Sequence, residues 1–303
     1  MRTSDFFSSQ RVFQKFLRKT QYDLSMFSFV NIFSWKDFFD FEFKVIGGAL
    51  CVFAKHELGS FLYLPPLGKA LSLGLAEKCF SILFTMNQGR GISRIENVEQ
   101  KDIGIFSPEK YTIYHKSDEF VYRRSELEHL AGNKYKSKRA LYNQCARSKA
   151  CVFIPYRPSM KKECLQVYRC WAKERKERYD DDIYRQMIDE NLCVHDTCLS
   201  HYQKLGLVGR VVLIDGKIHA YTFGFDLKQD VFCVLLEVAD RSVKGLSTYI
   251  FREMCRDTQI KRFDFINVMD DFGLENIRAT KLLFKPCRIH PSYVVSPKAS
   301  CAA

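Results

Sequence analysis

No apolar run in this 303-residue chain is long enough to cross a bilayer; the longest, residues 45–54, has half the needed length and contains Gly47-Gly48. The opening Met1-Arg2-Thr3-Ser4-Asp5-Phe6 carries an early acid and no leader-like apolar stretch, which argues against secretion by that route. The expectation is a cytoplasmic protein without a transmembrane segment. Paired cysteines are also missing, because the 12 cysteines include no Cys-x-x-Cys and the 7 histidines do not cluster beside them. A local zinc site is thereby excluded, and in a reducing compartment the thiols are expected to act as small buried apolar groups. No metal and no catalytic cysteine is expected; Cys287, between Pro286 and Arg288, is the thiol to watch, since a nearby cation favours thiolate. Acids are scarce too, with 35 Asp and Glu against 47 Lys and Arg, a net charge of +12. What the chain has in quantity is apolar surface: 47% hydrophobic residues, with 26 Phe and 15 Tyr, exclude disorder as the main state. Its length suits two domains.

Two hairpin signals set the organisation. Residues 41–45 and 49–54 flank Gly47-Gly48, and residues 208–214 and 217–225 flank Asp215-Gly216. In the second half the patterning reads as a strand at 151–154, a helix at 160–178, short helices at 182–190 and 195–205, and then the hairpin. A strand at 231–238, helix 246–256, strand 263–266, helix 274–283 and extended residues 288–295 follow. The first half gives a rougher copy: helix 7–17, hairpin, strand 60–63, helix 69–84, strand 92–98 and paired strands at 111–115 and 119–122. This predicts an α+β protein of two similar lobes, 1–124 and 151–303, joined by a linker helix over 125–150.

The linker is strongly basic, with eight cations between Tyr122 and Lys149 (Arg123, Arg124, Lys134, Lys136, Lys138, Arg139, Arg147, Lys149) against Glu126 and Glu128 alone. Arg139, Asn143 and Arg147 fall on one helical face, a pattern suited to phosphate, whether of nucleic acid, a lipid surface or a phosphorylated cofactor. A solvated face that binds nothing is the plainer alternative.

Polar residues also gather where the strand ending near Asn267 meets the following helix. Asp270 and Asp271 precede that helix, where acids cap free amides, while Arg278 and Lys281 share a helical face. Glu237 ends an apolar strand, where a carboxyl is costly unless paired or used, and there it can accept a proton.

These residues carry a family resemblance. Tyr122-Arg123-Arg124, Leu127, Leu130, Gly132, Lys134-Tyr135, Lys138-Arg139 and Asn143, then Asn267, Asp271, Gly273, Arg278, Lys281 and Pro286, resemble the signatures of phosphatidylglycerol lysyltransferase C-terminal domains. Trp35, Pro66-Leu67-Gly68, Gly209, Asp215-Gly216-Lys217, Glu237 and Asp240 extend the resemblance over nearly the whole chain. Phe272, Thr280 and Val238 depart from the family's usual leucine, basic residue and lysine, and the flippase region of the full-length lipid-modifying enzymes is absent.

The resemblance implies two tandem GNAT-like acyltransferase lobes, each a mixed, mostly antiparallel sheet flanked by helices, related to the Fem-type aminoacyltransferases. It implies transfer of an aminoacyl group from aminoacyl-tRNA to a hydroxyl or amine acceptor, such as a lipid head group or small molecule. Glu237 and Asp271 are then the catalytic candidates, as base or as acceptor-orienting groups. Lys134, Tyr135, Lys138, Arg139 and Asn143 would bind donor phosphates, and Asn267, Arg278, Lys281 and Arg288 the acceptor or terminal adenosine. No cofactor is expected. The alternative donor, acetyl-CoA or another acyl-CoA, meets a degenerate loop at Arg241 to Ser247. Peripheral contact with anionic lipid at the inner membrane face, and a non-catalytic RNA- or anion-binding module, complete the alternatives.

Overall fold

The computed structural model describes residues 3–148 and 150–298, so the expectations concerning Met1, Arg2, Lys149 and Cys301 lie outside the described residues. In chain order the first elements are α1 (Thr3–Leu17), α2 (Phe29–Ser34), β1 (Asp40–Ile46), β2 (Ala49–His56), β3 (Gly59–Leu62), α3 (Leu73–Met86), β4 (Ile95–Glu99) and β5 (Tyr111–Arg123). Then come α4 (Arg124–His129), α5 (Lys136–Ser148), β6 (Val152–Pro155), α6 (Lys161–Arg178), α7 (Asp182–His201), β7 (Val208–Ile214), β8 (Lys217–Asp226) and β9 (Val231–Ala239). The chain closes with α8 (Leu246–Arg256), β10 (Phe265–Asp270), α9 (Glu275–Leu282) and β11 (Arg288–Pro297).

Two compact units result. The first comprises the described residues up to Glu119 with Asp270–Arg278 and Ile289 onward; the second comprises Phe120–Met269 and Ala279–Arg288. Within the first unit β1, β2 and β3 form an antiparallel meander, β3 runs parallel to β4 after the crossover helix α3, and β11 returns antiparallel to β4. Its core gathers Phe53, Leu62, Cys79, Leu83, Val98 and Val295. The second unit repeats the scheme. β6, β7, β8 and β9 are antiparallel, and β9 runs parallel to β10 after α8. Phe232, Phe251, Met254 and Ile266 fill one of its cores, and Val212, Leu246 and Ile250 another. Each unit is thus a mixed, mostly antiparallel sheet flanked by helices, as expected.

Both predicted hairpins form, closing at the pairs Ile46–Ala49 and Ile214–Lys217, with positive φ at the turn residues Gly47, Gly48, Asp215 and Gly216. Four expectations need correction. The break placed between residues 115 and 119 does not exist: β5 is continuous, because the turn-like Ser117 and Asp118 are buried with polar partners. The two short helices near 190–195 are one helix, α7, in which Asn191 bonds back to the Met187 carbonyl at 2.8 Å and His195 meets the Tyr221 hydroxyl at 2.7 Å. The linker is not one helix: Leu130, at φ +50°, ends α4, and a short 3-10 turn precedes α5. Finally, α2 was not foreseen; it is short, capped by Ser28, and made of apolar residues that bury. No described helix is long and apolar enough to cross a membrane. Most cysteines are buried, whereas Cys170 and Cys287 are exposed, Cys287 with its thiol 3.3 Å from the Val121 carbonyl.

Candidate active site

The second unit contains an opening in its own sheet. Parallel pairing of β10 with β9 runs through three residue pairs only, Phe265–Val231, Ile266–Phe232 and Asn267–Cys233, although β9 continues to Ala239. Two side chains mark this separation. Asn267, wholly buried, turns its Oδ1 back to accept the Met269 amide at 2.7 Å, and Met269 takes a left-handed φ of +61°. Just beyond the last pair, Lys281 gathers two carbonyls, its Nζ donating to Val268 at 2.7 Å and Met269 at 3.0 Å. Asn267 and Lys281, expected as substrate-binding residues, thus both engage the backbone where β10 leaves β9.

Glu237 lies on the length of β9 beyond the paired residues. Its register partner is Thr222, and Ala239, two residues on, packs with Leu246 and Ile250 of α8, so alternation turns Glu237 toward the α8 face. Cys255 on α8 feels its charge. The side chain is exposed at its tip, and desolvation by the protein around it pushes its pKa up to about 8. Among the described residues no hydrogen bond or ion pair engages it. Thr222, wholly buried, has a hydroxyl without a partner.

Asp271 and Arg278 belong to the first unit, in a different kind of arrangement. Asp271 is 2% exposed, and its Oδ1 accepts the amides of Asp118 at 3.1 Å and Gly273 at 3.0 Å, while Arg278 reaches its Oδ2 at 3.2 Å. Arg278 also bonds Asp118, whose other oxygen meets His115 at 2.8 Å. Burial opposes ionisation of Asp118, but the bonds from Arg278 and His115 outweigh it and hold its pKa below the usual carboxylate value. This closed network caps a turn and joins two strands' ends. Asp118 and His115 were missed because Lys-Ser-Asp reads as a turn; no sequence signal ties them to Arg278.

The linker residues are similarly occupied. Lys134 pairs with Glu126 at 2.6 Å, and the Tyr135 hydroxyl bonds Glu126 at 3.0 Å and the Phe284 carbonyl at 3.2 Å. Lys138 is buried with its ammonium 3.9 Å from the Phe284 ring centroid, and desolvation lowers its pKa. Arg139 bonds the carbonyls of Leu130 and Gly132, tying down the residues between α4 and α5. Asn143 is half-buried on α5, and Arg288 is exposed, its guanidinium 4.1 Å from the Phe265 ring. Of the predicted residues in this unit, Glu237 alone presents an uncommitted titratable group beside the opening. Among the described residues no cluster of three metal-ligating side chains occurs.

The model of the family described as phosphatidylglycerol lysyltransferase, C-terminal, matches residues 18–296. No curated protein matches the sequence. Among solved structures, a conserved protein of unknown function from Bacteroides thetaiotaomicron is similar with a TM-score of 0.81 and 23% identity, over 96% of this chain and 97% of that one. L-PGS from Bacillus licheniformis is similar with a TM-score of 0.63 and 15% identity, over 94% and 91%. A tandem GNAT protein from the clavulanic acid biosynthesis pathway gives 0.55 and 7%, over 97% and 95%. At these identities the likeness is one of fold, and it is the tandem GNAT-like fold that the element order predicted.

Proposed function

Because the chain belongs to the family of phosphatidylglycerol lysyltransferase C-terminal domains, we propose that it is an aminoacyltransferase using aminoacyl-tRNA as donor and a hydroxyl or amine as acceptor. The observation that carries this reading is Glu237: an unpartnered carboxyl at about pKa 8, on the strand edge that β10 leaves uncovered. The donor ester is already activated, so the protein has three tasks: to align the reactants, to take a proton and to steady the oxyanion. Ionised Glu237 removes the proton from the acceptor as its oxygen or nitrogen attacks the ester carbonyl. The tetrahedral intermediate collapses with cleavage of the ester C–O bond, and the ribose oxygen of the terminal adenosine leaves as a hydroxyl with the proton that Glu237 took up, which returns Glu237 to its ionised form. Backbone amides of residues 234–239 facing the opening are suited to the oxyanion. Asp271, with both oxygens engaged, acts as a positioning residue for Arg278. The reaction draws on cytoplasmic aminoacyl-tRNA, so the cytoplasm is its setting.

An acyl-CoA donor is served less well. Its pyrophosphate would need the turn before α8, but there Gly245 lies so close to α5 that a Cβ would stand 2.2 Å from the Leu141 carbonyl oxygen. That carbonyl presents negative rather than positive charge to a phosphate. The test is to incubate the protein with a mixed aminoacyl-tRNA pool or with acetyl-CoA, adding phosphatidylglycerol vesicles or polyamines as acceptors, and to identify products by mass spectrometry. Acceptor-dependent consumption of the aminoacyl ester is expected; product from acetyl-CoA alone would overturn the donor assignment.

A further inference from the structure

With Lys138 and Arg139 committed to internal contacts and Lys134 paired with Glu126 at the surface, phosphate recognition is better served by cations without an acid beside them, and the first unit has a row of them on α1. Arg11, Lys15, Arg18 and Lys19 are all exposed and line one groove of about 630 Å³ with Gln10 and Gln14, and no carboxylate borders it. None of the four is held by an ion pair within the described residues. The sequence contains no acid between Asp5 and Asp23, so nothing local neutralises the stripe. From this placement we propose that the α1 stripe is a docking surface for the phosphodiester backbone of RNA.

Two features select RNA over a lipid surface. A helix that settles into a membrane inserts an apolar face, but here Phe6, Phe13 and Leu17 are buried in the protein, which leaves Val12 as the exposed large apolar residue of the helix. The stripe also interleaves glutamine amides with its cations, giving donors and acceptors that suit phosphate and ribose. Cations on a rigid helix attract the backbone without reading bases, so the surface is indifferent to sequence and strongly salt-dependent. It rests on the aminoacyl-tRNA reading only for which RNA is bound.

The experiment measures binding of unacylated bulk tRNA across a salt series. Arg11→Ala/Lys15→Ala, with Arg18→Gln/Lys19→Gln as an independent pair, should each make the slope of log affinity against log salt shallower by about two. At low salt each should also weaken binding about tenfold. Lys162→Ala/Arg169→Ala, removing two exposed cations of α6, should leave the slope unchanged. All variants should melt like the wild type, since the changed side chains are exposed. An unchanged slope in both α1 variants, or an equal fall in the α6 variant, overturns the proposal. So does vesicle binding that depends on α1 in a protein that binds no RNA. If the wild type ignores tRNA but binds another structured RNA through α1, the surface stands and the donor assignment fails.

Discussion

Arg278 donates to Asp118 and Asp271, two buried carboxylates for which it is the shared cation. Removing it takes away the cation that both share and leaves Asp118 with His115 and Asp271 with the amides of Asp118 and Gly273, so Arg278 contributes to stability. Arg278→Ala should destabilise the protein by about 2 kcal/mol, the modest figure reflecting a guanidinium about one-third exposed and open to water. Chemical unfolding measures this; an unchanged midpoint would mean that the carboxylates find other partners. Glu237 is the converse case. Its position at the end of an apolar strand was legible in the sequence, because a carboxyl after Val-Leu-Leu is conspicuous. That it stands unpartnered was not legible, since a side chain's lack of neighbours depends on the whole tertiary arrangement. Likewise the pairing of Asp118 with Arg278 joins residues 160 apart, and no local pattern marks it.

Among the elements, α5 and the turn before it differ most from the sequence reading. A run of Lys and Arg with few acids suggests a solvent-facing phosphate binder, but two of its cations serve the packing of the segment. Lys138 lays its ammonium on the Phe284 ring, and Arg139 satisfies carbonyls freed where Leu130 ends α4 and Gly132, at φ +78°, redirects the chain. Lys138→Ala/Arg139→Ala should therefore lower stability by about 2 kcal/mol and leave the salt slope of RNA binding nearly intact. A thermal melt with a tRNA titration checks both, and the reverse pattern would return the phosphate site to the linker. β10 teaches a related lesson. Its apolar residues announced a strand, while its departure from β9 is marked by Asn267 bonding the Met269 amide and by a lysine arriving from α9. Propensity reads the strand, but that lysine comes from a distant part of the sequence.

For the whole molecule, the repeated order of hairpin, strand, crossover helix and parallel strand was readable because turn chemistry and hydrophobic period are local. The division into units was less so, since residues after Asp270 contribute to both. The two units use the shared plan differently. In the first, the parallel pairing of β4 with β3 is shorter still, the pair Leu62–Ile95, but beyond it Asn97 donates to the Tyr63 carbonyl at 2.8 Å. In the second, β10 turns away and Glu237 is left beside the opening.

The central claim, that Glu237 is the base of an aminoacyl transfer, is tested most directly by the pH profile of acceptor-dependent transfer from aminoacyl-tRNA, for the wild type and Glu237→Gln. A base must be ionised to act, and a carboxyl raised to about 8 is protonated below that pH and ionised above it. The wild-type rate should therefore climb with pH to half its maximum near pH 8. Glu237→Gln should fold normally, lose about a hundredfold or more of the rate, and lose this rise. Full transfer by Glu237→Gln with an unchanged profile would contradict the account.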